Sequence, residues 1–149
     1  MAVDLDLSLI QARMQNLELR QADILAGPVE RGAFDLVTAR AVLHHIADPE
    51  AAIANMIASL REGGALVLIE PDFLPISIAE PQEVRAFWNG WLAWSRERGI
   101  DYHIGRTLAP RVTSLGLTKS TAQQKPRSTT VARCGQSTGL KRLLNCAAT

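Results

Sequence analysis

The stretch from Phe34 to Asp72, FDLVTARAVLHHIADPEAAIANMIASLREGGALVLIEPD, decides the fold. It opens with a short apolar run that ends at Thr38 and Ala39, and it closes with a second apolar run that is followed by the sequence EPD. Short apolar runs of this length are typical of buried strands. Because a helical pattern lies between the two runs, the stretch predicts a strand, a helix and a second strand joined by a right-handed parallel crossover.

The helix between the two strands has its own start and stop signals. Asp48 is the predicted N-cap, and Pro49 takes the first helical position, where a missing N–H costs nothing. An apolar stripe then follows at helical spacing through Ile53, Met56, Ile57 and Leu60. Arg61 is expected in the last turn, and the Gly63-Gly64 pair predicts the end of the helix.

The flanking segments extend the same alternation. Apolar residues ahead of Asp4 and around Leu17 and Leu19 predict two more strands, and the sequence Ser8 to Gln11 resembles a capping box for a helix over 9–15. Helical patterns follow over 82–98 and 105–117. This order of elements predicts an α/β fold with a partial doubly wound, mostly parallel sheet.

Composition excludes several classes of function. The chain has 149 residues, 47% hydrophobic and 21% charged, which is ordinary for one globular domain. A net charge of +1 provides no basic excess for binding nucleic acid. No apolar segment reaches membrane-spanning length, and no secretion signal is recognised. Cys134 and Cys146 have no metal-like partners nearby, so we expect a cytoplasmic protein without a metal site.

Three motifs together resemble the second half of class I S-adenosylmethionine (SAM) dependent methyltransferases. They are the FDLV strand followed by LHHIADPE, the helix that ends in a basic residue and Gly-Gly, and the strand that ends in EPD. The resemblance covers residues 2 to 118 and implies a Rossmann-like methyltransferase fold. It also implies methyl transfer from SAM to an acceptor, which the neutral composition suggests is a small molecule.

The chain departs from that family pattern at both ends. The family's first strand, its glycine-rich turn of the D-x-G-x-G-x-G kind and its first helix would precede Asp4, and they are absent here. We therefore expect an N-terminally truncated domain over 1–118 that binds SAM weakly or not at all. Residues 119–149 lack acidic residues and clear periodicity, so we predict a disordered tail where the resemblance implies a hairpin of two antiparallel strands.

The resemblance implies a cofactor site along the carboxyl ends of the strands. Asp4 with Leu5 would bind the ribose, Asp23 with Ile24 would bind the adenine, and Ala39 with Arg40 would approach the methionine part. Each acid has a simpler reading: Asp4 or Asp6 caps the next helix, and Asp23 is a solvated turn residue.

The acceptor side is predicted around the two adjacent histidines. His44 and His45 are the catalytic candidates because an imidazole near neutrality can act as a general base. The alternative is that one or both merely form hydrogen bonds within the loop. Glu70 and Asp72 are expected to line the acceptor site. The tryptophan-rich stripe of the 82–98 helix is expected to be core packing, or alternatively one wall of an apolar acceptor pocket.

The sequence leaves two other functions open. In the first, the chain is a non-catalytic fold remnant or interaction protein whose exposed central strand pairs with a partner. Self-association through unpaired sheet edges belongs to the same class of function. An NAD-binding oxidoreductase fragment would also use Asp4, but it would not account for the LHHIADPE and EPD motifs.

Overall fold

The computed structural model describes residues 1–11, 14–78, 80–117, 119–124 and 128–133. Its strands are β1 (Ala2–Asp4), β2 (Leu19–Gln21), β3 (Phe34–Arg40), β4 (Leu60–Glu70), β5 (Lys119–Gln124) and β6 (Ser128–Arg133). Its α-helices are α1 (Pro49–Ser59), α2 (Leu74–Ser77), α3 (Gln82–Glu97) and α4 (Leu108–Ser114). Short 3-10 turns cover Leu7–Leu9, Leu43–His45 and Ile104–Thr107.

The strands form two separate sheets. β1 and β2 pair in parallel as one two-stranded sheet, and the other four strands have the order β3-β4-β6-β5. β3 and β4 are parallel, whereas β6 is antiparallel to both β4 and β5. The predicted α/β class with parallel strands is therefore confirmed, and the hairpin of β5 and β6 makes the larger sheet mixed.

The crossover from β3 through α1 to β4 begins as the sequence predicts. The Asp48 carboxylate accepts the N–H of Ala51 at 2.9 Å, and Pro49 is the first helical residue. The predicted end of the helix was wrong, because α1 ends at Ser59 and Leu60 already has an extended ψ of 140°. Leu60 pairs with Phe34 in the sheet, so burial of this leucine in the core takes precedence over the glycine stop signal.

The region after α1 differs from the prediction in the same way. Arg61 lies in β4 and forms an ion pair with Asp35 of β3, so it does not lie in the last turn of the helix. Gly63 has a φ of +77° and lies beside the irregularity in strand pairing between Phe34 and Leu36. Gly63 therefore provides the left-handed residue at a kink inside the strand, and Gly64 leaves room for the Phe34 carbonyl, which an added Cβ would approach to 3.0 Å.

The core lies on one face of the β3-β4 pair. Leu66 and Leu68 of β4 are fully buried there against α1 and α4, together with Ile53, Leu108 and Val112. The opposite face carries Leu36, which is 55% exposed. Within the part of the chain that the structure describes, the sheet is therefore packed strongly on one side only.

The predicted helix over 9–15 is wrong for the residues that can be described. Asp6 caps a 3-10 turn instead, with its carboxylate accepting the Ser8 N–H at 2.8 Å, and residues 10, 11, 14 and 15 are not helical. The other two helical predictions hold better. Helix α3 matches 82–98 closely, and the 105–117 segment divides into the Ile104–Thr107 turn and α4.

The prediction of a disordered tail is wrong for 119–124 and 128–133. These segments form the antiparallel hairpin that the family resemblance implies, and Ser128 of β6 pairs with Glu70 of β4. The rest of 119–149, including Cys134 and Cys146, lies outside the described residues. Across the described ranges, no helix is long and apolar enough to cross a membrane.

Candidate functional site

A strained turn follows the carboxyl end of β3. Ala41 has a φ of +54°, in the left-handed region that a residue with a side chain rarely adopts, at a cost of about 1–3 kcal/mol. Its N–H donates to the Ile69 carbonyl at 2.8 Å, which ties the turn to the end of β4. The chain then enters the Leu43–His45 turn. Strain of this kind clusters at functional sites, so the turn marks the ends of β3 and β4 as a candidate site.

Glu70 at the end of β4 binds this turn. Its Oε1 accepts the N–H groups of Val42 at 2.9 Å and Leu43 at 2.8 Å, and its Oε2 lies 2.7 Å from Nδ1 of His44. Both side chains are buried, since Glu70 is 1% and His44 is 4% exposed. A buried carboxylate needs partners of this quality because its desolvation is costly.

The contacts of Glu70 fix which ring nitrogen of His44 carries a proton. An ionised carboxylate only accepts hydrogen bonds, so Nδ1 of His44 is the donor. Nε2 is then the nitrogen left to take or give a proton. This arrangement of a histidine oriented by an acid is the one that general-base catalysis uses.

His45 has a different environment, although its ring centroid lies 3.9 Å from that of His44. It is exposed, yet the part of the ring that packs against the protein is desolvated, and this lowers its pKa below the usual 6.5. The neighbouring His44 lowers the pKa further, whereas Glu70 acts in the opposite direction. His45 is therefore mainly neutral at pH 7.

Aromatic rings lie beside the two histidines. The Tyr102 ring is 5.0 Å from the His44 ring and stacks on Phe73 at 5.0 Å with an interplanar angle of 17°. Trp91 of α3 is 4.6 Å from Tyr102 and 5.8 Å from Phe73. Backbone hydrogen bonds from Phe73 N to Tyr102 O and from Asp101 N to His44 O hold these segments together.

A second polar group follows β4 at Asp72. Oδ1 of its buried carboxylate accepts the Leu74 N–H at 3.1 Å and two hydrogen bonds from Arg106 at 2.5 and 3.1 Å. His103, which the sequence leaves isolated, lies with Nδ1 3.9 Å from the same oxygen. Among the buried side-chain nitrogen and oxygen atoms of the described residues, Nδ1 of His103 is the one that lacks a hydrogen-bond partner.

The predicted ribose and adenine residues lie at one edge of the smaller sheet. Asp4 ends β1 beside Gln21 of β2, and Asp23 follows two residues later. Both carboxylates are exposed, and each uses Oδ1 to accept a local backbone N–H, from Asp6 for Asp4 and from Leu25 for Asp23. The following turn is capped by Asp6 and not by Asp4, which settles which of the two acids has the capping role.

The other predicted cofactor residues differ in how far they are buried. Leu5 is 64% exposed beyond β1, and Ile24 packs against the core while its carbonyl accepts a hydrogen bond from Asn55 of α1. Ala39 is buried in the core, so only its backbone is available to a ligand, whereas Arg40 is exposed at the end of β3.

The hydrogen-bonding groups of this region fit one part of SAM, the adenosine. Exposed carboxylates at the ends of parallel strands suit the ribose hydroxyls and the adenine amino group, which donate hydrogen bonds. A glycine-rich turn that leads from a strand into a helix is not found among the described residues. The residues described therefore fit the adenosine part better than the methionine part.

Some residues of this site could not be assigned from the sequence. Tyr102 and Arg106 reach the ends of β3 and β4 from a segment more than 30 positions further on, and no motif marks them. One weak signal for Tyr102 exists, because it is the single tyrosine of the chain. The charge of Glu70 at the end of an apolar run is a stronger signal, since a buried strand end rarely carries an unpaired acid.

Comparison with known proteins agrees with this geometry. Residues 1–68 match the family model described as "Methyltransferase domain". An uncharacterized 37.1 kDa protein in a transposon of Streptomyces fradiae is 40% identical over 72 residues, which are 46% of this chain and 21% of that protein. An uncharacterized methyltransferase of Mycobacterium bovis is 33% identical over 73 residues, which are 46% of this chain and 37% of that protein.

The fold comparison gives the same class. The crystal structure of human N-acetylserotonin methyltransferase in complex with SAM matches with a TM-score of 0.60 at 13% identity, covering 87% of this chain and 37% of that one. The fold is thus Rossmann-like and of the methyltransferase type. The match to the methyltransferase domain family extends over residues 1–68, which are just under half of the chain. The chain spans well under half the length of these relatives.

Proposed function

We propose that the chain acts in SAM-dependent methyl transfer to a small-molecule acceptor, with His44 as the general base. The observation that carries this proposal is the buried pair of His44 and Glu70 at the carboxyl ends of β3 and β4. Open α/β sheets bind their ligands at this edge. A histidine oriented by a carboxylate there is placed to remove a proton from an acceptor.

The cofactor would be held by the residues that follow β1, β2 and β3. Asp4 and Leu5 are proposed for the ribose, and Asp23 and Ile24 for the adenine. The backbone at Ala39 and Arg40 is proposed for the methionine part. When bound, SAM supplies a methyl carbon that is already activated by its sulfonium, so the protein mainly has to orient the acceptor and manage its proton.

The proton of the acceptor would pass to Nε2 of His44. Glu70 supports this step because its contact with Nδ1 fixes the tautomer and stabilises the charge that the ring gains. His45 is the second candidate, and its lowered pKa keeps it neutral and able to accept a proton at pH 7. His44 is preferred because His45 has no carboxylate oriented toward its ring in the described structure.

A radiolabelled methyl transfer assay tests this function. The chain is incubated with methyl-labelled SAM and a set of phenols and amines, and formation of S-adenosylhomocysteine is measured. We expect weak SAM binding by calorimetry that Asp4→Asn abolishes, and a turnover that His44→Gln reduces by about 10²–10⁴-fold. Turnover that is unchanged in His44→Gln but lost in His45→Gln would assign the base to His45 instead.

A non-catalytic role in protein association is the second candidate function. It rests on the division of the strands into two sheets, which leaves one edge of β1 and one edge of β3 without a strand partner in the described residues. Unpaired edges are templates for strand addition. A stable complex of defined size, with no measurable binding of SAM, would favour this role over methyl transfer.

A further inference from the structure

Four partly exposed aromatic side chains form a cluster of touching rings beside His44. We call this cluster the aromatic platform, and its members are Phe73, Trp88, Trp91 and Tyr102. Phe73 stacks on Trp91 at 26° and on Tyr102 at 17°, and Trp88 meets both Phe73 and Trp91 edge-on, at 6.3 and 5.5 Å. Offset stacking and edge contacts of this kind are the favourable geometries for aromatic rings.

The platform is not the buried face of α3. The residues that this helix buries are Leu92 and Ser95, whereas Trp88 and Trp91 remain partly exposed, as do Phe73 and Tyr102. Phe87, which adjoins Trp88 at 5.3 Å, is 64% exposed. Large apolar rings left at the surface together mark a binding site more often than a packing defect.

The platform adjoins the proposed proton acceptor. Tyr102 is the link, because its ring centroid lies 5.0 Å from that of Phe73, 4.6 Å from that of Trp91 and 5.0 Å from that of His44. A flat molecule on the platform would therefore place a substituent at its rim near the histidines. Asp72, the chain neighbour of Phe73, is paired with Arg106.

We propose that the acceptor is a planar aromatic molecule that carries a hydroxyl group and stacks on the aromatic platform. This inference rests on the proposed function for the methyl transfer itself, but the stacking does not require the cofactor. Aromatic stacking adds affinity beyond the area buried, by about two- to tenfold for one ring pair. Ligand sites of this type combine aromatic walls with few polar groups, as the platform and His44 do.

The test compares 2-naphthol with decahydro-2-naphthol, which has the same carbon skeleton without aromatic rings. Binding to the chain is followed without SAM through the indole N–H resonances of the three tryptophans. Variants with a single Trp→Phe change assign these resonances. We expect 2-naphthol to bind about two- to tenfold more tightly. It should shift the signals of Trp88 and Trp91 but not that of Trp94, whose ring packs under Arg98 instead.

Two substitutions and one control complete the experiment. Trp91→Leu and Phe73→Leu should each weaken the binding of 2-naphthol, whereas Trp94→Leu on the same helix should not, with circular dichroism confirming that each variant is folded. Equal affinity for the two alcohols, or shifts centred on Trp94, would overturn the proposal. So would indole signals that move with protein concentration alone, because the platform would then be an interface between copies of the chain.

The two proposals fail in different ways. Stacking of 2-naphthol on Trp91 without any methyl transfer would contradict the proposed function and leave the platform standing as a ligand site. Methyl transfer that proceeds equally well to both alcohols, and that Trp91→Leu does not change, would overturn the platform and leave the proposed function intact.

Discussion

Nδ1 of His44 and Oε2 of Glu70 lie 2.7 Å apart, although the two residues are 26 positions apart in the chain. The contact joins the turn after β3 to the end of β4, and the Glu70 carboxylate also accepts three backbone N–H groups of that turn, from Val42, Leu43 and His44. One carboxylate therefore stabilises the strained path of the chain at Ala41 and orients the histidine. Stability and the proposed catalysis depend on the same side chain.

Glu70→Gln is expected to lower the free energy of unfolding by about 1.5–3 kcal/mol, the usual contribution of a hydrogen bond to a charged group. The amide retains one acceptor for the turn, but it removes the charge that His44 Nδ1 faces. Urea denaturation followed by circular dichroism measures the change. A double-mutant cycle with His44→Gln should give a coupling energy of about 0.5–3 kcal/mol, and strictly additive effects would contradict the direct contact.

Gly105 should tolerate no side chain. A Cβ at this position would lie 2.6 Å from the carbonyl oxygen of Pro71 and 2.9 Å from that of Glu70, and backbone atoms cannot move aside cheaply. Gly105→Ala is therefore expected to destabilise the chain by about 1–3 kcal/mol, the cost of overpacking. Thermal unfolding measures it.

Gly90 provides the matched control for that substitution. It lies inside α3, and an added Cβ would have no heavy atom within 4 Å. Gly90→Ala should stabilise the chain by up to about 1 kcal/mol because alanine favours the helix. If the two glycine variants changed stability by equal amounts, the close approach of Gly105 to β4 would be refuted.

The fold could be predicted from the sequence where the signals were local. Asp48 and Pro49 begin α1 as expected because a cap needs only its own neighbours along the chain. The end of the helix depended instead on Leu60, whose burial and pairing with Phe34 involve distant residues. The capping box at Ser8 failed for a related reason, since Asp6 competes for the Ser8 N–H and forms a tighter turn.

In the candidate site, too, local features could be predicted from the sequence and contacts between distant residues could not. The adjacent residues His44 and His45 could be selected from the sequence only as a pair, and Glu70 from its charge at the end of a strand. Their pairing could not be predicted, because it depends on the register of β3 against β4 and on the turn at Ala41. The hairpin of β5 and β6 could not be predicted from periodicity either, since its residues are mostly small and polar and give no alternating apolar pattern.

His45 should make the stability of the chain depend on pH. Its pKa in the folded chain lies below the usual 6.5, so the unfolded chain binds more protons on average near pH 6. Its contribution to stability is therefore fully present above pH 6.5 and decreases as the pH falls through the lowered pKa. Chemical denaturation between pH 5 and 8 should show a smaller loss of stability on acidification for His45→Gln than for the parent chain. An identical slope in both would contradict this role of burial.

The cap of α1 allows a direct test of the crossover helix. Asp48→Ala removes the carboxylate that accepts the Ala51 N–H and should cost about 0.5–2 kcal/mol in unfolding free energy. Asp48→Asn keeps a side-chain oxygen at the same place and should cost much less. Differential scanning calorimetry of the two variants distinguishes a capping role from a general effect of charge, which would lower the stability of both equally.

Leu36 is the residue that most directly tests self-association of the chain. It is 55% exposed on β3, a strand whose outer edge has no strand partner in the described residues. We predict that the parent chain forms larger species as its concentration rises and that Leu36→Lys suppresses them, because a lysine on a strand edge opposes strand addition. Leu25→Lys, at a leucine that is 40% exposed in the loop after β2, is the matched control and should leave association unchanged. Sedimentation velocity measures the distribution, and a parent chain that stays monomeric at every concentration would exclude this edge as a self-interface.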